Sequence, residues 1–286
     1  MKTKYKYDGS NTFHIKDVET DETSHCKSKK KAEEEMLKIE EKLDALQQKL
    51  YADKKEGLII VFQAMDAAGK DGTISHVLQC LSPHGVYEAA FKSPSSTDLA
   101  HDFLWRITQH IPSKGEIAIF NRSHYEDVLI GKVKELYKTQ AHANRIDLDK
   151  VIQNRYRDIR HFEEYLYDNN VRVIKFFLNV SKKEQAKRFL ERIEEPEKNW
   201  KFSASDVEER AYWDKYQEAF EDAINETATK HSPWYVIPAD NKWYMRYVVS
   251  KIILKTLEDM DPQYPEVTKE RKQHFQELKE QLEKEI

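Results

Sequence analysis

Leu58-Ile59-Ile60-Val61-Phe62-Gln63-Ala64-Met65-Asp66-Ala67-Ala68-Gly69-Lys70-Asp71-Gly72-Thr73 is the stretch on which the fold turns. Its first five residues are apolar without alternation and follow Gly57, which breaks the chain. A short, partly β-branched run with no polar face suits a strand buried on both sides of a parallel sheet. Small residues and Gly69-Lys70 come next, then Ile74, Val77, Leu78 and Leu81 at helical spacing. Strand, small-residue loop, Gly-Lys and helix together are the context of a P-loop. Loop amides and the helix N-terminus offer positive potential to phosphate oxygens, so Ala67, Ala68, Gly69, Lys70 and Asp71 are the expected phosphate-binding residues. Lys70 adds a movable charge. Two departures matter: Ala64 replaces the usual first glycine, and Asp71 replaces the Ser/Thr that holds Mg²⁺. A carboxylate inside an anion site needs a cation beside it, so Asp66 is expected to hold or orient Mg²⁺.

Working outward, Tyr87–Phe91, Glu116–Phe120, Val171–Leu178 and Trp234–Ile237 read as further strands. Met36, Ile39, Leu43, Leu46 and Leu50 stripe a helix from Lys31 to about Tyr51. Leu148, Val151, Ile152, Tyr156, Ile159, Phe162 and Leu166 stripe a second, and Met245, Val248, Val249, Ile252, Ile253 and Leu257 a third. Strands separated by helices predict a parallel sheet covered on both faces. Residues 1–27 are polar and aperiodic and read as an extended arm, while Leu278, Leu282 and Ile286 mark a thinly striped C-terminal helix. Only 7 of the 286 residues are glycine and 34% are charged, which disfavours turn-rich all-β folds and favours a helix-rich chain. No run approaches the ~20 apolar residues of a spanning helix. The N-terminus lacks a signal-peptide core, and Cys26 and Cys80 make no metal or disulfide pattern, so a reducing cytoplasm is expected. The net charge is −4, yet residues 132–193 carry 15 basic against 9 acidic side chains.

Two more segments carry chemistry. Asn121-Arg122-Ser123-His124-Tyr125-Glu126-Asp127 follows a strand, where open α/β sheets bind ligands. Arg122 suits bidentate phosphate contact. Asn121 occupies the place of a Walker B aspartate and is a weak Mg²⁺ ligand, so Asp127 is expected to supply the missing charge as a second metal and catalytic carboxylate. Ser123 and Glu126 also fit a capping box at a helix start. In Ser181–Trp200, Arg188 and Arg192 lie at i, i+4 on one helix face, as in a lid that closes over phosphates.

Jointly these residues resemble the family-2 polyphosphate kinases, which move phosphoryl groups between inorganic polyphosphate and nucleotides. The matching segments are AMDAAGKDGT (64–73), AFKSPSSTDLAHDFLWR (90–106), FNRSHYEDVL (120–129), RFLERIEEPEKNWKFS (188–203) and WDKYQEAFEDAINETATKHSPWYVIPADNKWYMR (213–246), covering about residues 10–260. The resemblance implies an α/β P-loop kinase of thymidylate kinase-like, three-layer α/β/α form: a five-stranded parallel sheet, a helical lid and helical terminal extensions. It implies Asp66 and Lys70 as catalytic loop residues, Arg122 as the phosphate-binding arginine, and Arg188 and Arg192 as lid arginines. Where many members have Asp-Arg-Ser-Trp-Tyr-Asn, residues 121–126 read Asn-Arg-Ser-His-Tyr-Glu. That variant looks like the subgroup acting on both nucleoside mono- and diphosphates.

The chain is accordingly read as one domain over 1–286: arm and helix to 56, core over 57–180, lid over 181–213, core again over 214–260, and a C-terminal helix over 261–286. The expected reaction is in-line phosphoryl transfer with Mg²⁺, or Mn²⁺ in its place, between polyphosphate and AMP, ADP or guanine nucleotides. Lys92, Asn121, His124 and Glu126 are the expected nucleotide contacts. Lys132, Lys134, Arg145, Arg155, Arg157, Arg160, Lys182 and Lys183 are candidates to line the polyphosphate groove. A homo-oligomer is expected, with no nucleic-acid or membrane partner. The competing readings are an ATP-dependent monophosphate kinase of the same fold, a nucleotide switch without transfer, and a scaffold acting through its charged terminal helices.

Overall fold

The computed structural model describes residues 4–26 and 28–286, so Met1–Thr3 and Lys27 of the expected arm lie outside the described residues. Among the described residues six strands form one sheet: β1 (Lys6–Tyr7), β2 (Gly57–Ala64), β3 (Val86–Ala90), β4 (Ile117–Asn121), β5 (Val171–Asn179) and β6 (Trp234–Pro238). Their order is β1-β6-β5-β2-β4-β3. β2 pairs in parallel with β4 (Leu58 opposite Ile117) and with β5 (Gly57 opposite Val171).

The five parallel strands stand where periodicity places them; the sixth corrects the five-strand expectation. Lys6–Tyr7 adds antiparallel to β6, Lys6 opposite Tyr235. Two residues are too few for a period-two pattern to show. Side chains distant in sequence hold this arm: the Tyr5 hydroxyl is 2.8 Å from that of Tyr244, and the Phe13 N–H donates to Asn225 Oδ1 at 2.7 Å.

Side chains of β2 alternate between two cores. Leu58, Ile60 and Phe62 pack among residues of helices Lys29–Asp53, Lys70–Leu78 and Lys242–Met260; Ile59 and Val61 face helices Val151–Asp168 and Trp213–Thr227. Each such side chain, fully buried, contributes about 1.5–3 kcal/mol. The Lys29–Asp53 helix buries Met36, Ile39, Leu43 and Leu50 of its predicted stripe. Leu278 and Leu282, by contrast, are exposed on the Lys269–Glu283 helix. Among the described residues no helix is long and apolar enough to cross a membrane.

Position follows from the strand order. The chain builds β3 and β4 on one side of β2, then crosses to build β5 and β6 on the other. Such a switch point leaves a crevice beyond the carboxyl ends of the strands, where open α/β sheets bind ligands. The Met65–Gly69 loop leaves β2 at that crevice.

Candidate active site

The loop after β2 is built from residues held in the left-handed region. Gly69 takes φ +98° as the cap of the Lys70–Leu78 helix, and a Cβ there would meet Met245 Cε at 3.1 Å. Ala67 takes φ +59°, and Arg122, just past β4, takes +64°. Each non-glycine residue so placed costs roughly 1–2 kcal/mol, a strain that collects at sites the rest of the fold over-determines.

Lys70 reaches across the sheet ends. Its ammonium bonds Asn121 Oδ1 and lies 3.1 Å from Asp71 Oδ1, while Asn121 Nδ2 donates to Asp71 at 3.1 Å and to Glu88 Oε1 at 2.7 Å. Partial desolvation by its neighbours raises the Asp71 carboxyl, whose side chain is otherwise exposed, but the charge and hydrogen bond of Lys70, with that of Asn121, outweigh it and hold Asp71 below the usual carboxylate range. The Arg122 guanidinium donates to Asp66 Oδ1 at 3.0 Å and approaches Glu126 Oε2 at 3.5 Å. Glu126 is pushed up by burial against the pull of Arg122.

Above the loop, Arg188 is 4% exposed and spends all five of its N–H donors. Nε donates to Glu184 at 3.1 Å; Nη1 to the carbonyls of Ala67 (3.1 Å) and Ala68 (2.8 Å); Nη2 to those of Ala239 (2.7 Å) and Asp240 (3.0 Å). Gln185 Nε2 adds a bond to the Asp66 carbonyl at 2.9 Å. The expected lid arginine is thus tied to the loop and to the end of β6. Arg192 is held more loosely, by the Lys201 carbonyl at 3.2 Å and Asp206 at 3.3 Å.

These groups wall a cavity of about 620 Å³ whose lining holds nine Lys/Arg against three Asp/Glu side chains. Asp66, Ala67–Asp71, Lys92, Asn121, Arg122, Arg188 and Arg192 all border it. Four cations the sequence reading passed over join them: Lys198, Lys201, Lys242 and Arg246. Lys242 and Arg246 lie at i, i+4 in the first turns of the helix after β6, a spacing that was available to find them.

Three expectations need correction. None of the eight groove candidates in 132–193 lines this cavity. Several face acids on other elements instead: Lys132 bonds Asp222, Lys134 lies 2.9 Å from Glu209, and Arg160 lies 3.4 Å from Glu226. A charge tally along the chain cannot see pairing between elements. His124 is buried in the core against Tyr125 and Phe162 and does not line this cavity. Asp127 does not meet Asp66; it sits 3.6 Å from Arg155 in a second cavity of about 440 Å³ and is pushed up by burial against the pull of Arg155. Its segment is a 3₁₀ turn, His124–Asp127, with Ser123 Oγ accepting from the Tyr125 N–H rather than forming the anticipated capping box. The turn's tighter rotation sends consecutive side chains to different sides.

A divalent ion fits only a shared site. Among the described residues no three or more His, Cys, Asp and Glu side chains cluster as ligands. Asp66 offers one oxygen not bonded to Arg122, and one or two carboxylates completed by phosphate oxygens and water is the donor set Mg²⁺ favours.

Residues 26–265 match the family described as polyphosphate kinase 2. The chain is 49% identical over 251 residues, 87% of each protein, to an ADP-polyphosphate phosphotransferase of Rhodopseudomonas palustris. It is 47% identical to an AMP/ADP-polyphosphate phosphotransferase of Meiothermus ruber, over 92% of this chain and 95% of that one. The crystal structure of polyphosphate kinase 2 from Arthrobacter aurescens TC1 superposes with a TM-score of 0.83 at 35% identity, covering 93% of this chain and 94% of that one.

Proposed function

We infer, because the chain belongs to the polyphosphate kinase 2 family, that it transfers phosphoryl groups between inorganic polyphosphate and the nucleotides AMP and ADP. The observation that carries the reading is the cavity: nine cations against three acids around a P-loop, in a chain of net charge −4. Polyphosphate, like a nucleic-acid backbone, is a flexible polyanion, and a groove for it must concentrate positive charge. The wall of Arg192, Lys198, Lys201, Lys242 and Arg246 supplies a cationic path leading to the loop.

Phosphoryl transfer asks for positioning and charge stabilisation more than covalent chemistry. Lys70 and the amides of Ala67–Asp71 cradle the transferred group, and Arg122 contacts it from the β4 side. Asp66, beside Arg122, would hold a divalent cation, Mg²⁺ or Mn²⁺, which when bound neutralises phosphate charge. Arg188 keeps the loop in shape, and Arg192 contacts the polyphosphate. The acceptor phosphate meets Arg122, while the nucleoside extends into the second cavity. Supporting this, the segment after β3 walls both spaces: Phe91, Lys92 and Ser93 border the first, and Pro94, Asp98, His101, Phe103 and Arg106 are among those that border the second. There Arg155 lies 5.3 Å over the Phe103 ring, a flat surface suited to a base, and guanine nucleotides would use the same space. Asp127 then contacts the nucleoside instead of a metal.

The test is ATP formation from ADP with polyphosphate and Mg²⁺ as the sole additions, repeated with AMP and GDP as acceptors. Lys70→Ala and Arg122→Ala are expected to lower kcat by about 10³-fold with melting unchanged within a few degrees. ADP formed from AMP with ATP as donor, and none formed with polyphosphate as donor, would instead identify an ATP-dependent monophosphate kinase.

A further inference from the structure

A second charged cluster lies beneath the site and has no part in the chemistry above. Glu163, on the Val151–Asp168 helix, is 1% exposed and accepts three hydrogen bonds: from Lys175 Nζ at 2.5 Å, Tyr125 Oη at 2.8 Å and Ser232 Oγ at 2.8 Å. Lys175, in mid-β5, is fully buried and donates also to the Thr227 carbonyl at 3.0 Å. Its ammonium sits 5.5 Å and 5.4 Å from the ring centres of Tyr125 and Trp234. His124 Nε2 stands 3.6 Å from Glu163 Oε1, and among the described residues neither ring nitrogen has a hydrogen-bond partner. Burial alone would raise the Glu163 carboxyl, but Lys175 and His124 outweigh it and hold it below the usual range.

An ion pair this deep is not explained by stability. Its desolvation cost offsets most or all of the mutual attraction, and well-packed apolar residues of similar volume commonly do as well or better. What the pair accomplishes is geometric. It joins β5, the Val151–Asp168 helix, the end of the Trp213–Thr227 helix and the loop before β6 to one short segment, the turn His124–Asp127. Two residues upstream of His124 stands Arg122, in a left-handed conformation that its own side chain does not favour. The local bonds seen for its main chain and guanidinium are one to the Phe62 carbonyl and those to Asp66 and Glu126.

We propose that the buried Glu163–Lys175 pair, acting through Tyr125 and His124, positions Arg122 for phosphoryl transfer by pinning the turn that follows it. The proposal rests on Arg122 acting in the transfer. Glu163, Lys175 and Tyr125 are positioning residues, since none of them lines either cavity. Removing the pin leaves the cavity and its cations in place, so substrate binding is retained while the guanidinium loses its aim. Misplacement of a clamp by about 1 Å costs on the order of 10²-fold in rate.

The experiment measures kcat and KM for polyphosphate and ADP in Tyr125→Phe and in the double variant Glu163→Gln/Lys175→Met, which removes both charges at similar volume. The expected result is a kcat lower by roughly 10- to 100-fold with both KM values within about threefold of the parent. Tyr125→Phe loses one hydroxyl and keeps the proposal testable even if the double variant fails to fold. The decisive arm repeats Tyr125→Phe in an Arg122→Lys background: a pin that works through Arg122 has little left to lose there, and the further drop is expected to be under threefold. Parent-like kcat in Tyr125→Phe, or the same fold-loss with and without the Arg122 guanidinium, overturns the proposal. Parent-like turnover in Arg122→Lys and Arg122→Ala overturns the role of Arg122 on which the proposal rests, whereas no ATP formed from ADP and polyphosphate by the parent chain overturns the functional reading itself, which distinguishes the two failures.

Discussion

Replacing Arg188 by lysine separates a fixed brace from a mobile clamp. The guanidinium fills five hydrogen bonds at 2.7 to 3.1 Å, four of them to carbonyls of Ala67, Ala68, Ala239 and Asp240. A lysine ammonium has three donors on one nitrogen and cannot span two pairs of carbonyls. At least two acceptors lose their partner, and each buried unsatisfied group costs about 1–3 kcal/mol. Water from the adjoining cavity recovers part of this, so Arg188→Lys is expected to destabilise by about 2–4 kcal/mol. For a chain of this size that lowers Tm by roughly 4–10 °C. The assay is a thermal melt without substrate, paired with steady-state kinetics of ATP formation well below the melting transition. A brace predicts a lower Tm and lower kcat together, because Ala67 and Ala68 belong to the loop proposed to hold the phosphate. Were Tm to stay within about 1 °C while only KM for polyphosphate rose, Arg188 would be a phosphate clamp and the brace argument would fail.

Lys242→Ala and Lys198→Ala are expected to raise KM for polyphosphate several-fold and leave KM for ADP unchanged, whereas Lys182→Ala and Lys183→Ala change neither; steady-state titrations of the two substrates decide this. Raising NaCl from about 50 to 300 mM is expected to raise KM for long polyphosphate far more than KM for ADP, because counterion release scales with the number of phosphates bound. Glu126 carries a folded-state carboxyl raised by burial, so it weighs against folding once the pH rises through that raised value, and the cost is absent below the ordinary carboxylate range. Glu126→Gln is therefore expected to stabilise the protein at pH 8 and to lose that advantage as the pH falls toward 4, as measured by urea unfolding at both. Asp71 has the opposite sign: its folded-state carboxyl is depressed, so its contribution is present at neutral pH and vanishes as the pH falls through the carboxylate range, and Asp71→Asn is expected to flatten that part of the acid-unfolding curve.

The parallel sheet was legible because its strands are short, mostly apolar runs set between helical stripes, and in β2 the run is unbroken because both of its faces are buried. The strand, loop and helix over residues 57–78 were legible because their signals are local: apolar run, small-residue loop, Gly-Lys and helical stripe are contiguous. Asp127 and His124 were misplaced for a complementary reason. Four residues in a 3₁₀ turn point to a cavity, a core and an arginine in quick succession, and only the packing of Tyr125 on Trp234 and Glu163 shows which goes where. The basic residues picked from 132–193 fall outside the cationic cavity because they were summed by position along the chain. Lys132 and Arg160 face acids on the Trp213–Thr227 helix, while Lys198, Lys201, Lys242 and Arg246 come from a stretch whose overall charge is acidic.

The two-residue strand β1 has a practical consequence. It covers the outer edge of β6, whose backbone groups would otherwise be available to the strand of another molecule. It is also mechanically upstream of the site, since β6 runs directly into Ala239 and Asp240, the carbonyls that Arg188 grips. A purification tag or fusion partner placed ahead of Lys6 would therefore pull on the sheet margin that steadies the Met65–Gly69 loop, and would tempt edge-to-edge aggregation if it peeled β1 away. The exposed Lys269–Glu283 helix at the other end of the chain is the safer point of attachment.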